Sequence, residues 1–205
     1  MEKTETQKRS SKRQRILQAA SDCFARYGYD KTTLEDIGKK LQLNKASLYY
    51  YFKNKEEIFV QVILQETEVF ISELQQEAIE QETLTDQVRF YLTERIRRYE
   101  EVLNLTQLSI DSLQKVEPLF QKLYKTIKEA EIRFLEHLLE AGKTTGDWRP
   151  FDAQDLARSL FIVSDALKHD QIIQRELYFD GAFHYEEVEQ RMEAIIQYIF
   201  AGLQK

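Results

Sequence analysis

The sequence predicts an all-α protein: a three-helix helix-turn-helix head at the N-terminus, joined by a long helix to a larger helical body. Three observations carry this. Prolines occur only at 118 and 150 and glycines number six, so long segments run without a breaker and keep apolar residues at helical spacing. Helix-opening residues recur, with Thr33, Asn44 and Asn54 in close succession. The charge is split: residues 1–55 hold 13 basic and 6 acidic side chains, net +7, and the remainder holds 16 and 29, net -13. An overall charge of -6 argues against a polyanionic partner, but a basic end on an acidic body is the footprint of a nucleic-acid-binding head. A solvated basic face is the ordinary alternative. A hydrophobic share of 42% suffices for a core.

Residues 1–10 are polar and lack an apolar pattern, which predicts a disordered basic arm. Lys8, Arg9, Lys12 and Arg13 are cations that can meet phosphates, although a frayed terminus accounts for them equally. Ser11 and Gln14 have the form of a capping box, so the first helix is expected from there to about Tyr27, with Gly28 beyond its end. Ile16, Ala19, Ala20, Cys23, Phe24 and Tyr27 share one face, for which Ile37, Leu41, Leu48 and Phe52 are the expected partners. Thr33 caps a second helix over Leu34–Leu41, with Asp36 at its third position. Gln42-Leu43-Asn44 makes the turn, and Gln42 is expected in a left-handed or bridge conformation. Asn44 caps a short third helix to about Tyr51, and Leu43 with Leu48 forms a hydrophobic staple that sets its entry angle.

Asn54 with Glu57 opens a fourth helix, expected to about Gln76 and too long to serve the head alone. The domains follow as 1–10, 11–55 and 56–205, with 56–76 as the linking helix. Five further helices are expected in the body: one from Thr83 through Leu103, a short irregular one near 106–114, and one after Pro118 ended by Gly142. The last two cover 152–176 and 185–204.

Enzyme chemistry finds no support, and no catalytic residue is assigned. Gly142-Lys143-Thr144 resembles the end of a phosphate loop, but His137 stands where that loop needs a glycine, and a helix precedes it. Asn104-Leu105-Thr106 fits a glycosylation sequon by chance. His137, His169 and His184 lie on separate elements without metal-ligand spacing, and Cys23 is the sole cysteine, so no metal and no cofactor is expected. No apolar run reaches a membrane span and the N-terminus is charged, so a cytoplasmic protein with no membrane partner is expected.

Residues from about 12 to 60 resemble the DNA-binding domain of the TetR family of bacterial transcriptional regulators. The resemblance rests on ILQAASDCFARYGYDKTTLEDIGKKL, NKASLYYYF and KNKEEIF. Gln42 and Ala46 replace glycines usual in that family. The resemblance implies a dimeric, sequence-specific regulator, a repressor released from double-stranded operator DNA by a small-molecule effector of unknown identity. It implies base-facing positions at Lys45, Ala46 and Tyr49, and base or backbone contacts from Ser47, Tyr50 and Tyr51. Thr33 and Lys55 match phosphate-contact positions. It further implies a homodimer paired through the helices at about 152–176 and 185–204. The two heads must then reach successive major grooves, about 34–36 Å apart. Inward aromatic or polar residues of the body supply candidate ligand contacts: Tyr91, Arg95, Tyr99, Asp111, Tyr124, His137 and Asp165. Each taken alone is equally ordinary as core or surface. A helical adaptor that keeps the helix-turn-helix only as scaffold is the competing reading.

Overall fold

A computed structural model describes the backbone of residues 2–98, 110–144, 148–178 and 185–205. Side chains are described for 7–98, 112, 114–144, 148–167 and 186–205. Eight helices occur among these residues: α1 Glu2–Tyr27, α2 Leu34–Leu41, α3 Lys45–Tyr49, α4 Lys55–Ile79, α5 Leu84–Arg97, α6 Ile110–Lys143, α7 Ala153–Tyr178 and α8 Tyr185–Leu203. There is no strand among the described residues, and no described helix is long and apolar enough to cross a membrane. The all-α expectation holds. The described residues divide into two compact units, one from Met1–Glu68 with Val102–Lys125, the other from Val69–Glu101 with Thr126–Lys205.

The first unit contains the head. Ile16, Ala19, Ala20, Cys23 and Phe24 of α1 are buried, as are Ile37 of α2, Leu48 and Phe52 around α3, and Ile58, Phe59 and Val62 of α4. Phe59 meets Phe24 edge-on at 5.2 Å and Tyr29 at 4.6 Å. Burial pushes the Cys23 thiol pKa up, which suits packing and not reactivity. Tyr27 departs from the expected face and is 46% exposed with Arg26 against its ring. The reason is local: Gly28 at φ 76° turns the chain away immediately after it.

The caps are local chemistry and appear where the sequence puts them. Asp36 N–H donates to the Thr33 hydroxyl at 3.2 Å while Thr33 N–H donates back to the Asp36 carboxylate at 3.0 Å. Ser47 N–H donates to Asn44 at 2.8 Å, and Glu57 N–H to Asn54 at 2.8 Å. Gln42 takes the left-handed conformation at φ 56°. At this turn Leu43 N–H donates to the Gly38 carbonyl at 2.9 Å, and a Cβ on Gly38 would stand 2.5 Å from the Leu43 carbonyl oxygen.

Three expectations are corrected. The arm over 1–10 is helical: α1 starts at Glu2, not at Ser11, because nothing in this polar stretch breaks a helix and its Glu, Lys, Gln and Arg residues are good helix formers. The short helix near 106–114 and the one after Pro118 are a single helix from Ile110 onward; residues 106–109 lie outside the described residues. Pro118 sits inside α6, where it removes one backbone donor without ending the helix. The boundary drawn at 55/56 is also displaced. α4 belongs to the head unit as far as Glu68, and so does the start of α6, where the buried Ser112 hydroxyl bonds the Asp30 carboxylate.

In the second unit α5, α6, α7 and α8 close over Val88, Tyr91, Leu92, Leu135, Leu139, Leu160, Phe161, Met192 and Ile196. Trp148 packs on Phe151 and Phe200, and Arg149 N–H donates to the Leu203 carbonyl at 2.7 Å.

The turn yields two substitutions of opposite sign. Gly38→Ala is expected to destabilise the chain by about 1–3 kcal/mol, because backbone and not a flexible tip blocks the new methyl. Gln42→Gly is expected to raise the unfolding midpoint, since a non-glycine in the left-handed region costs roughly 1–2 kcal/mol, more than glycine loses in entropy. Urea denaturation of both variants checks the pair; equal signs refute the account of the turn.

Candidate nucleic-acid interface

Leu48 is the anchor of α3, buried beneath the helix, so the residues around it are forced outward. Lys45 and Ala46 are exposed, Ser47 is half-buried, Tyr49 is 50% and Tyr50 66% exposed, and Tyr51 is half-buried. The outward tyrosines are therefore Tyr49 and Tyr50, and the Tyr51 ring lies edge-on to Tyr50 at 5.0 Å. Two aromatic hydroxyls, an ammonium and a methyl on one short helix offer donors, an acceptor and apolar contact, the repertoire that reads base edges.

Arg13 fixes the far end of this helix. It donates to the Tyr51 carbonyl at 2.9 Å, lies 4.2 Å from the centre of the Phe52 ring and approaches Glu57 at 3.6 Å. One turn earlier on α1, the Arg9 guanidinium lies 5.3 Å from the centre of the Tyr50 ring.

Two of the candidate phosphate positions are already engaged. Thr33 spends its hydroxyl and its N–H on Asp36, and this hydroxyl holds the Asp36 carboxyl below its ordinary pKa. Lys55 turns inward: its Nζ donates to the carbonyls of Tyr29 at 2.9 Å and Thr32 at 3.1 Å and lies over the Tyr29 ring. Burial lowers its pKa. The Lys55 side chain thus ties α4 to the α1–α2 turn and is not free for the phosphate contact expected of it. Lys45 pairs with Glu35 at 2.9 Å on the open surface, which lowers the pKa of Glu35 and raises that of Lys45.

Residues 16–62 match the sequence model of the bacterial regulatory proteins of the tetR family. The chain resembles the biofilm operon icaADBC HTH-type negative transcriptional regulator IcaR of Staphylococcus epidermidis, at 51% identity over 45 residues, 22% of this chain and 24% of that protein. The match thus spans about a quarter of that relative's length. The uncharacterized HTH-type transcriptional regulator YhgD of Bacillus subtilis is 24% identical over 143 residues, 68% of this chain and 73% of that one. The crystal structure of a transcriptional regulator from Cytophaga hutchinsonii superposes with a TM-score of 0.71 at 26% identity, covering 93% of this chain and 97% of that chain. Residues 16–62 are thus similar to the DNA-binding domain of the TetR family.

Beyond the matched head, the body's candidate residues separate. Tyr91, Arg95 and Asp165 come together around a residue that sequence reading missed, Glu131 of α6. Tyr91 donates its hydroxyl to Glu131 at 3.0 Å, and Arg95 Nε donates to the same carboxylate oxygen. Arg95 also donates to Ser164 at 3.3 Å and Asp165 at 3.1 Å, and its guanidinium lies 4.4 Å from the centre of the Phe161 ring. Tyr91, Glu131 and Ser164 are fully buried and Arg95 nearly so; desolvation drives the Tyr91 pKa well up. Glu131 was legible only as one of many acidic residues on α6; nothing local marks it as buried.

The others stand elsewhere. Tyr124 is buried and stacks on Phe120 at 5.1 Å in the head's unit. His137 is exposed, which corrects its expected inward placement: Leu135, Leu138 and Leu139 occupy the inner face and rotate it outward. Tyr99 and the Asp111 side chain lie outside the described residues.

Because Arg95 and Glu131 are both buried, losing Glu131 leaves Arg95 only Asp165 and Ser164 among its described polar partners, and losing Arg95 leaves Glu131 a buried charge with its bond from Tyr91. Glu131→Ala or Arg95→Ala is expected to cost about 3–5 kcal/mol of stability, whereas the apolar pair Arg95→Met with Glu131→Leu is expected to recover a large part of that loss. Thermal unfolding of the two single variants and the double one measures this, and a double variant weaker than the sum of its parts refutes it.

Proposed function

We propose that this chain is a dimeric, sequence-specific DNA-binding regulator of transcription, a repressor that a small-molecule ligand of the body releases from its operator. The observation that carries the reading is the face of Lys45, Ala46, Ser47, Tyr49 and Tyr50 set outward by the buried Leu48 and held by the Asn44 cap. Lys45 would donate to guanine O6 or N7, Ala46 would meet a thymine methyl, and the hydroxyls of Ser47, Tyr49 and Tyr50 would reach base edges or phosphates. Repression is supported by IcaR, whose name is that of a negative regulator and whose match covers this head. The reading puts the protein in the cytoplasm, with bacterial DNA.

Dimerisation is supported by apolar side chains left in water. Tyr198 of α8 is 80% exposed and Ile162 of α7 51%, on the two helices expected to pair. Around the body's ligand, Tyr91, Arg95, Glu131 and Asp165 are the polar groups to be engaged. A ligand that binds one spacing of the two heads better than the other shifts operator affinity by that difference and no more.

Fluorescence anisotropy on duplexes selected by the chain from a random library tests the head. Lys45→Ala and Tyr49→Ala are each expected to reduce discrimination between selected and scrambled duplex by about 1–3 kcal/mol. Glu35→Gln, which frees Lys45 of its partner and removes a negative charge, is expected to tighten binding to both duplexes. Failure of the unaltered chain to bind any duplex would sink the reading in favour of an adaptor. Sedimentation tests the pairing: Tyr198→Glu with Ile162→Glu is expected to shift a dimer to monomers, and an unmoved mass refutes that interface.

A further inference from the structure

One cationic edge of the head lies outside the helix-turn-helix contacts, and the sequence alone left it divided between phosphate contact and a frayed terminus. Residues 8–15 carry five basic side chains, Lys8, Arg9, Lys12, Arg13 and Arg15, and no acidic one. They belong to α1, which continues without a break to Glu2. Arg9 and Arg13 are four residues apart and share a face. That face is turned to the recognition helix: Arg13 holds the Tyr51 carbonyl at 2.9 Å, and Arg9 lies 5.3 Å from the ring centre of the exposed Tyr50. Lys8 and Lys12 repeat the same spacing one residue round the helix, and both are exposed.

We infer that this edge of α1 is a second DNA-contact element, in which Arg9, flanked by Lys8 and Lys12, binds the phosphate backbone beside the groove that α3 enters. The inference rests on the DNA-binding reading and extends it beyond the helix-turn-helix. Three features favour a duplex backbone as the occupant. The strip is purely cationic, it adjoins the base-reading face through direct contact with Tyr50, and Arg9 is held without a carboxylate partner in any described bond, its guanidinium resting on an aromatic ring. A ring-stacked guanidinium keeps its donors free along its edge for bidentate bonding to phosphate. Tyr50 thereby has two roles, a contact of its own and a platform that positions Arg9. Because phosphates carry no sequence information, the element adds affinity and register but not base preference.

The test is anisotropy of the full chain across a series of salt concentrations, on a duplex selected from a random library and on a scrambled duplex. Arg9→Ala is expected to weaken binding to both by a similar factor, and to make the plot of log affinity against log salt shallower by about 0.9 for one phosphate contact. Arg9→Lys keeps the charge and is expected to keep the slope. Arg15→Ala removes an equal charge from an exposed residue about 240° round the helix from Arg9, and is expected to leave the slope unchanged. Equal slopes for the unaltered chain and Arg9→Ala overturn the inference, as do equal effects of Arg9→Ala and Arg15→Ala, which would show that net charge alone matters. No binding by the unaltered chain would instead overturn the underlying reading, and the two failures are distinct. Circular dichroism of each variant confirms that α1 remains folded, and Arg9→Gln, which also removes the charge and is expected to flatten the slope equally, carries the test if Arg9→Ala does not fold.

Discussion

In the head, α2 and the turn after it meet at a distance that no side chain would allow. The Leu43 carbonyl oxygen stands where a Cβ of Gly38 would be, and its amide returns a bond to the Gly38 carbonyl. This contact fixes where the chain leaves α2, and Gln42 accepts a left-handed backbone to keep it. The start of α3 follows, then the depth of Leu48, then which residues of α3 face outward. Arg13 secures the other end of α3, and Lys55 fastens α4 to the preceding turn. The outward face is thus the last consequence of a sequence of contacts made beneath and beside it.

The second unit contains the opposite kind of constraint. Burying Arg95 and Glu131 removes both charges from water, and their mutual attraction only approximately offsets that loss. Such a cluster is weak support for stability, because the cost of burying the two charges is close to what their attraction returns. α6 carries Glu131 in this unit and Ser112 in the head's unit, so one continuous helix contributes a polar anchor to each.

What was legible in the sequence was what short-range chemistry decides. Thr33, Asn44, Asn54, Thr83 and Asp152 cap helices because their side chains reach an amide three residues on, and every one does so here. The conformation of Gln42 followed from the turn around it. The misplacements all involve a competitor at long range or the absence of a breaker. Lys55 is called inward by carbonyls of Tyr29 and Thr32, which no spacing reveals. His137 stood three residues from Phe134 and four from Ala141, yet its leucine neighbours take the core side. Glu131 looked like any solvated acid until Tyr91 and Arg95 met it. Pro118 reads as a boundary, but a helix that can lose one hydrogen bond can run through it.

The Lys45–Glu35 pair has a consequence of its own. Lys45 carries a built-in counterion, so on the proposed DNA-binding reading it would meet a polyanion by exchange and not by fresh neutralisation. Exchange releases fewer small ions than an unpaired lysine would, and its driving force depends on how well the incoming acceptor is placed. A well-aligned acceptor displaces Glu35, and a poorly aligned one leaves the internal pair intact. On that reading the carboxylate would act as a reference against which each acceptor is compared, and this exposed pair would be a weak competitor within the chain.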